Sequence, residues 1–304
     1  MTTDTSPRVA FIGLGTMGRP MASRLLSAGW RLAVYDKDLA AMQPLLDAGA
    51  RGAASPQDAA RDAAFVITML PNSQHVLDAT TGQDGVLAAA SPGSVLIDMS
   101  TINPMTSRNV ATVARARGVA VLDAPVSGSS QGAADGSLTI MVGGGADVLD
   151  RSRELLSVLG ARIIHCGGSG MGSTVKLANQ VMAATSMVAV AESFRLGQAL
   201  GVDPRLLYDV STTSSGDSWS LRTRPPVPGV VDSSPADHGF RPGFKGDLMR
   251  KDLDLALSAA ASVGLDLPLA SAVHDLYARL GTSGLGDRDF SAVIDVLPRR
   301  ADGS

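Results

Sequence analysis

The sequence predicts an α/β protein with two domains, in which a mostly parallel sheet flanked by helices is followed by an all-helical domain. Between Arg8 and about Cys166, short apolar runs alternate with alanine-rich helical stretches, an alternation typical of βαβ units around a parallel sheet. Beyond Gly167 the strand pattern disappears. A chain of 304 residues also exceeds the roughly 250 residues at which one hydrophobic core stops growing. We therefore expect one domain over residues 1–167 and another over 168–304.

Five apolar runs in the first domain have the length and composition of strands. They are Val9–Ile12, Leu32–Tyr35, Phe65–Leu70, Val95–Asp98 and Val119–Leu122. The second domain contains four helical stretches, over about residues 171–200, 204–211, 248–263 and 269–280. Pro204 suits a first helical turn, whereas Gly201 and Gly264 suit helix ends. Residues 214–244 are rich in Pro, Gly, Ser and Asp and predict a long loop, which in a compact domain is usually functional or mobile.

Composition narrows the classes of partner and compartment. The net charge is −3, with Lys and Arg scattered along the chain, so a small molecule is a better candidate ligand than nucleic acid. Cys166 is the single cysteine; it excludes an intramolecular disulfide, suits a reducing compartment and is expected to be a buried structural residue. Residues 1–7 lack the basic start of a signal peptide. Polar residues interrupt the apolar stretch 177–191, which favours a buried helix over a membrane span. We expect a cytoplasmic protein.

A glycine-rich turn directly follows the first predicted strand and opens a helix. Its residues are Gly13, Leu14, Gly15, Thr16, Met17 and Gly18. In a Rossmann-type domain, glycines at this spacing permit a tight turn, close approach of a pyrophosphate and close packing of helix on strand. The helix N-terminus then faces the phosphates. The turn therefore predicts a dinucleotide site.

Asp36 ends the next predicted strand, 18 residues after Gly18. A carboxylate there accepts hydrogen bonds from the ribose hydroxyls and repels a 2′-phosphate, which favours NAD over NADP; the neighbouring Lys37 weakens that preference. Asp36 could instead cap the helix that starts near Leu39. Further cofactor contacts are expected at the carboxyl ends of later strands, from Leu70, Pro71, Asn72 and Thr101. Helix capping by Asn72, Ser73, Ser100 or Thr101 is an equally weighted alternative.

Lys176 stands at the start of a long, otherwise apolar helical stretch. An ammonium group in such surroundings loses water, which disfavours its charged form and lowers its pKa. A proton-transfer group that works near neutral pH needs such a pKa. The alternative is a lysine that extends from a buried helix to solvent. No paired Cys or HExxH pattern surrounds any histidine, so we expect no metal site.

Four segments together resemble the β-hydroxyacid dehydrogenase family. They are Ile12–Met21, Asp123–Gly128 (Asp-Ala-Pro-Val-Ser-Gly), Gly168–Gln180 and Lys251–Leu257 (Lys-Asp-Leu-Asp-Leu-Ala-Leu). The resemblance implies a Rossmann-type NAD(P)-binding domain joined by a long interdomain helix, about 171–200, to an all-α domain. It also implies oxidation of small 3-hydroxy acids. The apolar interdomain helix and the all-α domain offer surface to partner subunits, so we expect a homodimer or a homotetramer.

The family's functional residues carry over onto matching positions of this chain. Lys176 matches the catalytic lysine, and Ser127 with the amide of Gly128 matches the contacts to the substrate carboxylate. Ser129 stands where glycine is common in the family, and Asn179-Gln180 where several members have two asparagines, so either amide is a candidate substrate contact. Two further matches lie in the last segment. Lys251 corresponds to a residue near the cofactor and Asp252 to one that shapes the site. Ordinary structural roles are the alternatives for all of these except Lys176.

The substrate resemblance points in two directions. Residues 70–76, 96–100 and 176–180 are similar to tartronate semialdehyde reductases, whereas the loop 214–240 is similar to bacterial 3-hydroxyisobutyrate dehydrogenases. We weight the loop more, because Trp219 offers an apolar wall to a methyl-bearing substrate; Phe244 is a second candidate, and both could instead anchor the loop to the core. The resulting hypothesis is NAD-dependent oxidation of 3-hydroxyisobutyrate to methylmalonate semialdehyde, as in valine degradation. The alternatives are another short 3-hydroxy acid and, in a different class, a non-catalytic dinucleotide-binding module.

Overall fold

A computed structural model describes residues 8–297 and divides into two compact units after Lys176. Residues 1–7, for which no signal peptide was predicted, lie outside the described residues, as do positions 298–304. Each unit contains its own apolar core. Helices within the described residues are too short or too polar to cross a membrane.

The described part of the first unit is built on one nine-stranded sheet. Its strands are β1 (Arg8–Ile12), β2 (Arg31–Tyr35), β3 (Arg51–Gly52), β4 (Phe65–Thr68), β5 (Val95–Asp98), β6 (Ala120–Asp123), β7 (Val126–Ser127), β8 (Thr139–Gly143) and β9 (Arg162–Gly167). Their order is β3-β2-β1-β4-β5-β6-β8-β7, with β9 beside β8. Pairing is parallel from β3 to β6 and between β8 and β9, and antiparallel where β8 meets β6 and β7.

The mostly parallel sheet confirms the predicted fold class, and its order shows where a ligand fits. The chain reverses direction across the sheet between β1 and β4, and open α/β sheets bind ligands at the carboxyl ends of strands at such a switch point. All five predicted strands exist, with ends shifted by at most two residues. Of the four that were not predicted individually, β3 and β7 are two residues long and give no detectable periodicity.

Helices cover both faces of this sheet. They are α1 (Gly18–Ser27), α2 (Leu39–Asp47), α3 (Pro56–Ala60), α4 (Ser73–Thr81), α5 (Pro104–Arg115), α6 (Ser129–Asp135) and α7 (Ala146–Leu159), and α8 (Met171–Ala199) begins in this unit. Apolar side chains of the strands alternate between two clusters: Val9 and Phe11 belong to one, and Ala10 and Ile12 to the other. A strand buried on both faces explains why these segments read as continuous apolar runs.

The second unit is helical, as predicted. After α8 come α9 (Pro204–Ser211), α10 (Trp219–Thr223), α11 (Gly246–Ala261) and α12 (Pro268–Thr282). Pro204 begins α9, and the glycines after α8 and α11 have the left-handed conformation of helix ends, with φ of +80° at Gly201 and +71° at Gly264. The expectation of an uninterrupted loop over 214–244 is wrong, because Ser218 caps the short helix α10 and Ser234 caps a 3₁₀ turn at Pro235–His238.

Candidate active site

The glycine turn after β1 has the backbone geometry that a dinucleotide requires. Gly13 has φ of +94°, and a Cβ built on it would lie 2.3 Å from the carbonyl oxygen of Met69. A Cβ on Gly18 would lie 1.9 Å from the carbonyl oxygen of Gly13, so only glycine lets α1 start this close to the strand. Gly15 is different, because a Cβ there meets nothing within 4 Å. The turn therefore leaves open space at Gly15, beside the N-terminus of α1, and fits a pyrophosphate.

This difference between two glycines of the turn predicts different effects of the same substitution. Gly15→Ala should leave the melting temperature unchanged and weaken NAD binding about tenfold, because the methyl group fills the space needed by the phosphates. Gly18→Ala should lower stability by about 2 kcal/mol or more, because its methyl group overlaps backbone. Thermal denaturation and NAD titration of both variants test the assignment. Equal NAD affinity in Gly15→Ala and the unmodified protein would contradict it.

Asp36 lies at the end of β2 beside the glycine turn. Its Oδ2 accepts a hydrogen bond from the Leu14 amide at 2.6 Å, and its Oδ1 accepts one from the Asp38 amide at 2.8 Å. The helix-cap alternative is wrong, because Asp38 is the residue that caps α2, accepting from the Ala40 amide. Asp36 is therefore a carboxylate fixed against the turn, where ribose hydroxyls can reach it.

The carboxyl ends of β4 and β5 are joined by a hydrogen-bond chain that the sequence analysis missed. The Leu70 amide donates to the Ser100 hydroxyl at 2.8 Å, which donates to the Asp98 Oδ1 at 2.6 Å. Thr68 donates to the same oxygen at 2.8 Å. Asp98 is 3% exposed, and its Oδ2 has no hydrogen-bond partner. The sequence contained one indication of this chain: Asp98 is a charged residue at the end of an apolar strand, and a buried carboxylate needs hydrogen-bond partners.

Burial raises the pKa of Asp98 to about 6, against the hydrogen bonds from Ser100 and Thr68, which lower it. The folded protein therefore holds this proton more tightly than the unfolded chain, so Asp98 makes stability fall as pH rises from about 4 to about 6. Asp98→Asn removes this titration. Its stability relative to the unmodified protein should increase by about 2 kcal/mol between pH 4 and pH 7. Urea denaturation of both proteins across this range tests the effect; parallel curves would contradict it.

The other predicted cofactor contacts at these strand ends differ in what they do. Asn72 caps α4: its Oδ1 accepts from the His75 amide at 3.0 Å and lies 2.8 Å from the imidazole Nδ1 of the same residue. The capping alternative thus describes Asn72. It does not describe Thr101, because Asn103 caps α5. Thr101 is half-buried and Pro71 exposed, so both remain candidates for cofactor contact.

Lys176 lies in the second turn of α8, and its side chain is only 5% exposed. The alternative of a lysine reaching solvent is therefore wrong. The start of its helix is anchored by a buried carboxylate, since Asp123 accepts hydrogen bonds from the amides of Gly170 at 2.7 Å and Ser173 at 2.8 Å. A Cβ on Gly172 would lie 2.4 Å from the carbonyl oxygen of Asp123. The helix that carries Lys176 thus meets the end of β6 at backbone contact distance.

Asp123 and Asp98 are register partners on neighbouring strands, so their side chains share one face of the sheet. Burial raises the pKa of Asp123, although the amides of Ser173 and Gly170 oppose this shift. Asp123 begins the segment Asp123–Gly128, but within that segment functions were predicted only for Ser127 and Gly128.

The predicted carboxylate-binding residues follow Asp123 on the chain. Ser127 ends β7 and is half-buried, and Gly128 is exposed with φ of +137°. Ser129 has φ of +63°, in the region that favours glycine, which explains why glycine suits this position. The structure thus places a hydroxyl and a backbone amide side by side at the start of α6.

In the second unit, Gln180 and Asp252 are in contact. The Gln180 Nε2 donates to the Asp252 Oδ2 at 2.7 Å, and Asp252 is 2% exposed in the middle of α11. The Lys251 Nζ lies 3.1 Å from the Asp252 Oδ1 without the alignment of a hydrogen bond. Asp252 is therefore neither a cap nor a surface residue. Asn179 is half-buried and donates weakly to Gln180, at 3.3 Å, so Asn179 is the amide better able to bind a ligand.

The two aromatic candidates have different environments. Phe244 packs edge-to-face on Phe290, with ring centroids 6.1 Å apart, and borders the apolar core of this unit, as its anchoring alternative predicted. Trp219 is 58% exposed at the start of α10, so it does not anchor the loop. Arg224, which directly follows α10, is ion-paired with the buried Asp289 at 2.6 Å.

The contacts of the histidine and cysteine side chains indicate structural roles. His165 lies 2.8 Å from the Gly144 carbonyl oxygen, and His274 lies 2.7 Å from Asp254. Cys166 is half-buried, less than expected, and burial raises the pKa of its thiol. Among residues 8–297, no three His, Cys, Asp or Glu side chains form a group that could hold a metal ion.

A doubly wound sheet, a glycine turn open at Gly15 and an acidic residue ending β2 define the class of dinucleotide-dependent oxidoreductases. Two family models match this chain, together covering nearly all described residues, and both describe NAD-binding domains. The model described as the NAD binding domain of 6-phosphogluconate dehydrogenase matches residues 8–168, and the model described as NAD-binding of NADP-dependent 3-hydroxyisobutyrate dehydrogenase matches residues 170–297. The protein is an NAD-dependent oxidoreductase that acts on CH–OH groups.

The chain belongs to the β-hydroxyacid dehydrogenase family. It is 41% identical to human mitochondrial 3-hydroxyisobutyrate dehydrogenase, over 95% of this chain and 86% of that protein. It is also 43% identical to the NAD-dependent L-serine dehydrogenase of Pseudomonas aeruginosa, over 94% and 96%. The solved structure of Mycobacterium tuberculosis 3-hydroxyisobutyrate dehydrogenase with L-serine is similar, with a TM-score of 0.92, 41% identity, and coverage of 97% of this chain and 100% of that one. These findings confirm the predicted family and cofactor and set aside the non-catalytic alternative.

Proposed function

We propose that the protein oxidises 3-hydroxyisobutyrate to methylmalonate semialdehyde, with Lys176 as the general acid and base. The observation that carries this proposal is the burial of Lys176 on a helix whose start is held by Asp123. A buried lysine held in one position can exchange a proton with a bound hydroxyl group. Among the described residues, no group of His, Cys, Asp and Glu side chains offers comparable support for a metal-dependent reaction.

In the proposed reaction, the substrate's C3–H bond breaks with its electron pair as the hydroxyl proton moves to the Lys176 Nζ, and a C=O bond forms at C3. NAD⁺, when bound at the glycine turn, accepts the hydride. Ser127 and the amide of Gly128 would hold the substrate carboxylate with two donors. In the reverse direction, the protonated Lys176 returns its proton to the carbonyl oxygen.

The choice of substrate depends on one substituent. 3-Hydroxyisobutyrate, serine and glycerate share a hydroxymethyl group and a carboxylate, and differ at C2 by a methyl, an ammonium or a hydroxyl group. An exposed indole such as Trp219 offers apolar surface to a methyl group. Its ring face also attracts an ammonium group, so Trp219 supports 3-hydroxyisobutyrate over glycerate but does not distinguish 3-hydroxyisobutyrate from L-serine.

L-Serine is the second candidate. One relative of 43% identity is an NAD-dependent L-serine dehydrogenase, and the solved relative with a TM-score of 0.92 was determined with L-serine. Tartronate semialdehyde, the other substrate suggested by sequence, gives glycerate on reduction. Its assignment still depends on the resemblance of residues 70–76, 96–100 and 176–180.

Initial rates of NAD⁺ reduction with 3-hydroxyisobutyrate, L-serine and glycerate distinguish these candidates. We expect kcat/KM for 3-hydroxyisobutyrate to be the largest, and Trp219→Ala to reduce its ratio to kcat/KM for glycerate about tenfold. Leu206→Ala is the control and should leave the ratio unchanged, because Leu206 is exposed. Leu221 is closer to Trp219 in the chain but is buried, so its replacement would also affect stability. A preference for L-serine or glycerate would overturn the proposed substrate.

The predicted assembly as a homodimer or homotetramer and the cytoplasmic location remain proposals. The first rests on the apolar interdomain helix and the helical second domain, and the second on composition. Size-exclusion chromatography with light scattering tests the assembly. A monomer at micromolar concentration would contradict it.

A further inference from the structure

A buried charged group in the second unit joins three elements around the aromatic residues of the proposed specificity site. The Asp289 Oδ2 accepts hydrogen bonds from the Arg224 Nη1 at 2.6 Å, the Gly243 amide at 3.0 Å and the Phe244 amide at 3.2 Å. Its Oδ1 accepts from the amide and hydroxyl of Ser291. The carboxylate is fully buried, so these donors replace its water.

Arg224 connects this carboxylate to Trp219. Its guanidinium carbon lies 5.5 Å from the centroid of the Trp219 ring and 5.6 Å from that of Phe290, within the range of cation–π attraction. Gly243 makes room for it, since a Cβ there would lie 2.6 Å from the Arg224 Nη2. The side chain is 13% exposed. It is therefore a fixed planar surface beside an indole that is itself 58% exposed.

The arrangement explains how an exposed tryptophan could keep one position. Trp219 has little burial to hold it, whereas Arg224 is held by an ion pair that is expensive to break once buried. Asp289 also binds the amide of Phe244, the second aromatic candidate. The Asp289 carboxylate thus contacts both aromatic residues indirectly or directly. It holds the Arg224 guanidinium that packs on Trp219, and it accepts a hydrogen bond from the backbone amide of Phe244.

We propose that Arg224, held by Asp289, is a specificity-determining positioning residue that keeps Trp219 against the substituent at C2 of the substrate. This inference rests on the proposed function, because it takes Trp219 as the residue that faces the substrate. Arg224 itself touches neither substrate nor cofactor in this scheme. A lysine would retain the charge but lack the planar guanidinium and its second contact surface.

The test is a double-mutant cycle between Arg224 and Trp219. Arg224→Lys preserves a cation for Asp289, and Arg224→Met removes it. The measured quantity is the ratio of kcat/KM for 3-hydroxyisobutyrate to kcat/KM for glycerate. We expect Arg224→Lys to lower this ratio about threefold and Arg224→Met about fivefold, and neither to change it further in a Trp219→Ala background, because residues that act through one contact are not additive. Arg222→Met is the matched control and should leave the ratio unchanged. Arg222 lies in α10, which Arg224 directly follows, and is ion-paired with Asp217 at 2.8 Å.

A second measurement reports the position of Trp219 without any substrate. The chain has two tryptophans, so a Trp30→Phe background makes Trp219 the only indole emitter. Acrylamide should quench this emission more strongly after Arg224→Met than after Arg222→Met. Both variants must first show the far-UV circular dichroism of the folded protein. Equal quenching in the two folded variants would overturn the positioning role.

The remaining outcomes separate this inference from the proposed function. If Trp219→Ala lowers the substrate ratio but Arg224→Met does not, the inference is overturned and the proposed function stands. If Trp219→Ala leaves the ratio unchanged, that single variant overturns the proposed role of Trp219 in substrate choice. The specificity role of Arg224 is then overturned as well, because it depends on Trp219. Equal effects of Arg224→Met in the presence and absence of Trp219 would also overturn the inference, because Arg224 would then act by another route.

Discussion

Replacing Lys176 with methionine should lower kcat by at least about a hundredfold, the lower end of the range for loss of a general acid or base. Methionine has a similar length and suits a side chain that is 5% exposed, so the fold should persist. The affinity for NAD should remain within about twofold, because the proposed role of Lys176 is proton transfer. Single-turnover NADH formation and NAD titration of the purified variant measure the two quantities.

Two further variants make this expectation specific. Lys176→Arg retains a positive charge but carries a group that stays protonated, so it should be nearly as inactive as methionine. Lys245→Met changes a lysine that is exposed and ion-paired with Asp287, and should retain full activity. Substantial turnover by Lys176→Arg would show that charge, and not proton acceptance, is what this position supplies.

Asp123→Asn should destabilise the protein by about 2 kcal/mol and reduce kcat about tenfold. Both oxygens of Asp123 accept backbone amides, from Gly170 and Ser173. An asparagine has only one acceptor oxygen, so one buried amide at the start of α8 loses its partner. Because the same helix carries Lys176, a small shift of its first turns displaces the proposed base, and such displacements reduce rates strongly. Urea denaturation and initial rates measure the two effects.

Asp98→Asn is the matched control for stability. Asp98 is the register partner of Asp123 and equally buried, but only its Oδ1 accepts hydrogen bonds among the described contacts. Asparagine retains that acceptor, so Asp98→Asn should not lose this stability near neutral pH. If both variants lost equal stability, the cost would come from burying an amide on this face of the sheet. The capping role of Asp123 would then be unsupported.

Local patterns predicted most of the fold. A strand buried on both faces must be apolar throughout, so β1, β2, β4 and β5 are visible as runs in the sequence. Helix ends are also local, because only glycine reaches positive φ without strain, as at Gly201 and Gly264. Two-residue strands such as β7 are different: their pairing depends on a neighbour that is distant in sequence, and no periodicity reports it.

Residue types alone indicated the glycine turn, Asp36 and Lys176, since phosphate approach, ribose binding and proton transfer each demand a particular group at a particular place in a βαβ unit. Positions at strand ends added further cofactor candidates. The resemblance to the β-hydroxyacid dehydrogenases then supplied the substrate-site candidates, and the relatives confirmed the family. The substrate was not determined in this way, because a methyl, an ammonium and a hydroxyl group differ by a few contacts within one shared scaffold.

The sequence by itself determined five of the nine strands, the change from a βαβ domain to a helical one, the dinucleotide class and the candidate base, because these depend on local chemistry and spacing. Only the tertiary structure decided how the other polar residues are used. It assigned Asp123 to the start of α8, Asp98 to the ends of β4 and β5, and Arg224 to Asp289. Buried carboxylates take whichever donors the fold brings to them, and those donors lie between 2 and 65 residues away along the chain. Such partners are invisible until the chain is folded.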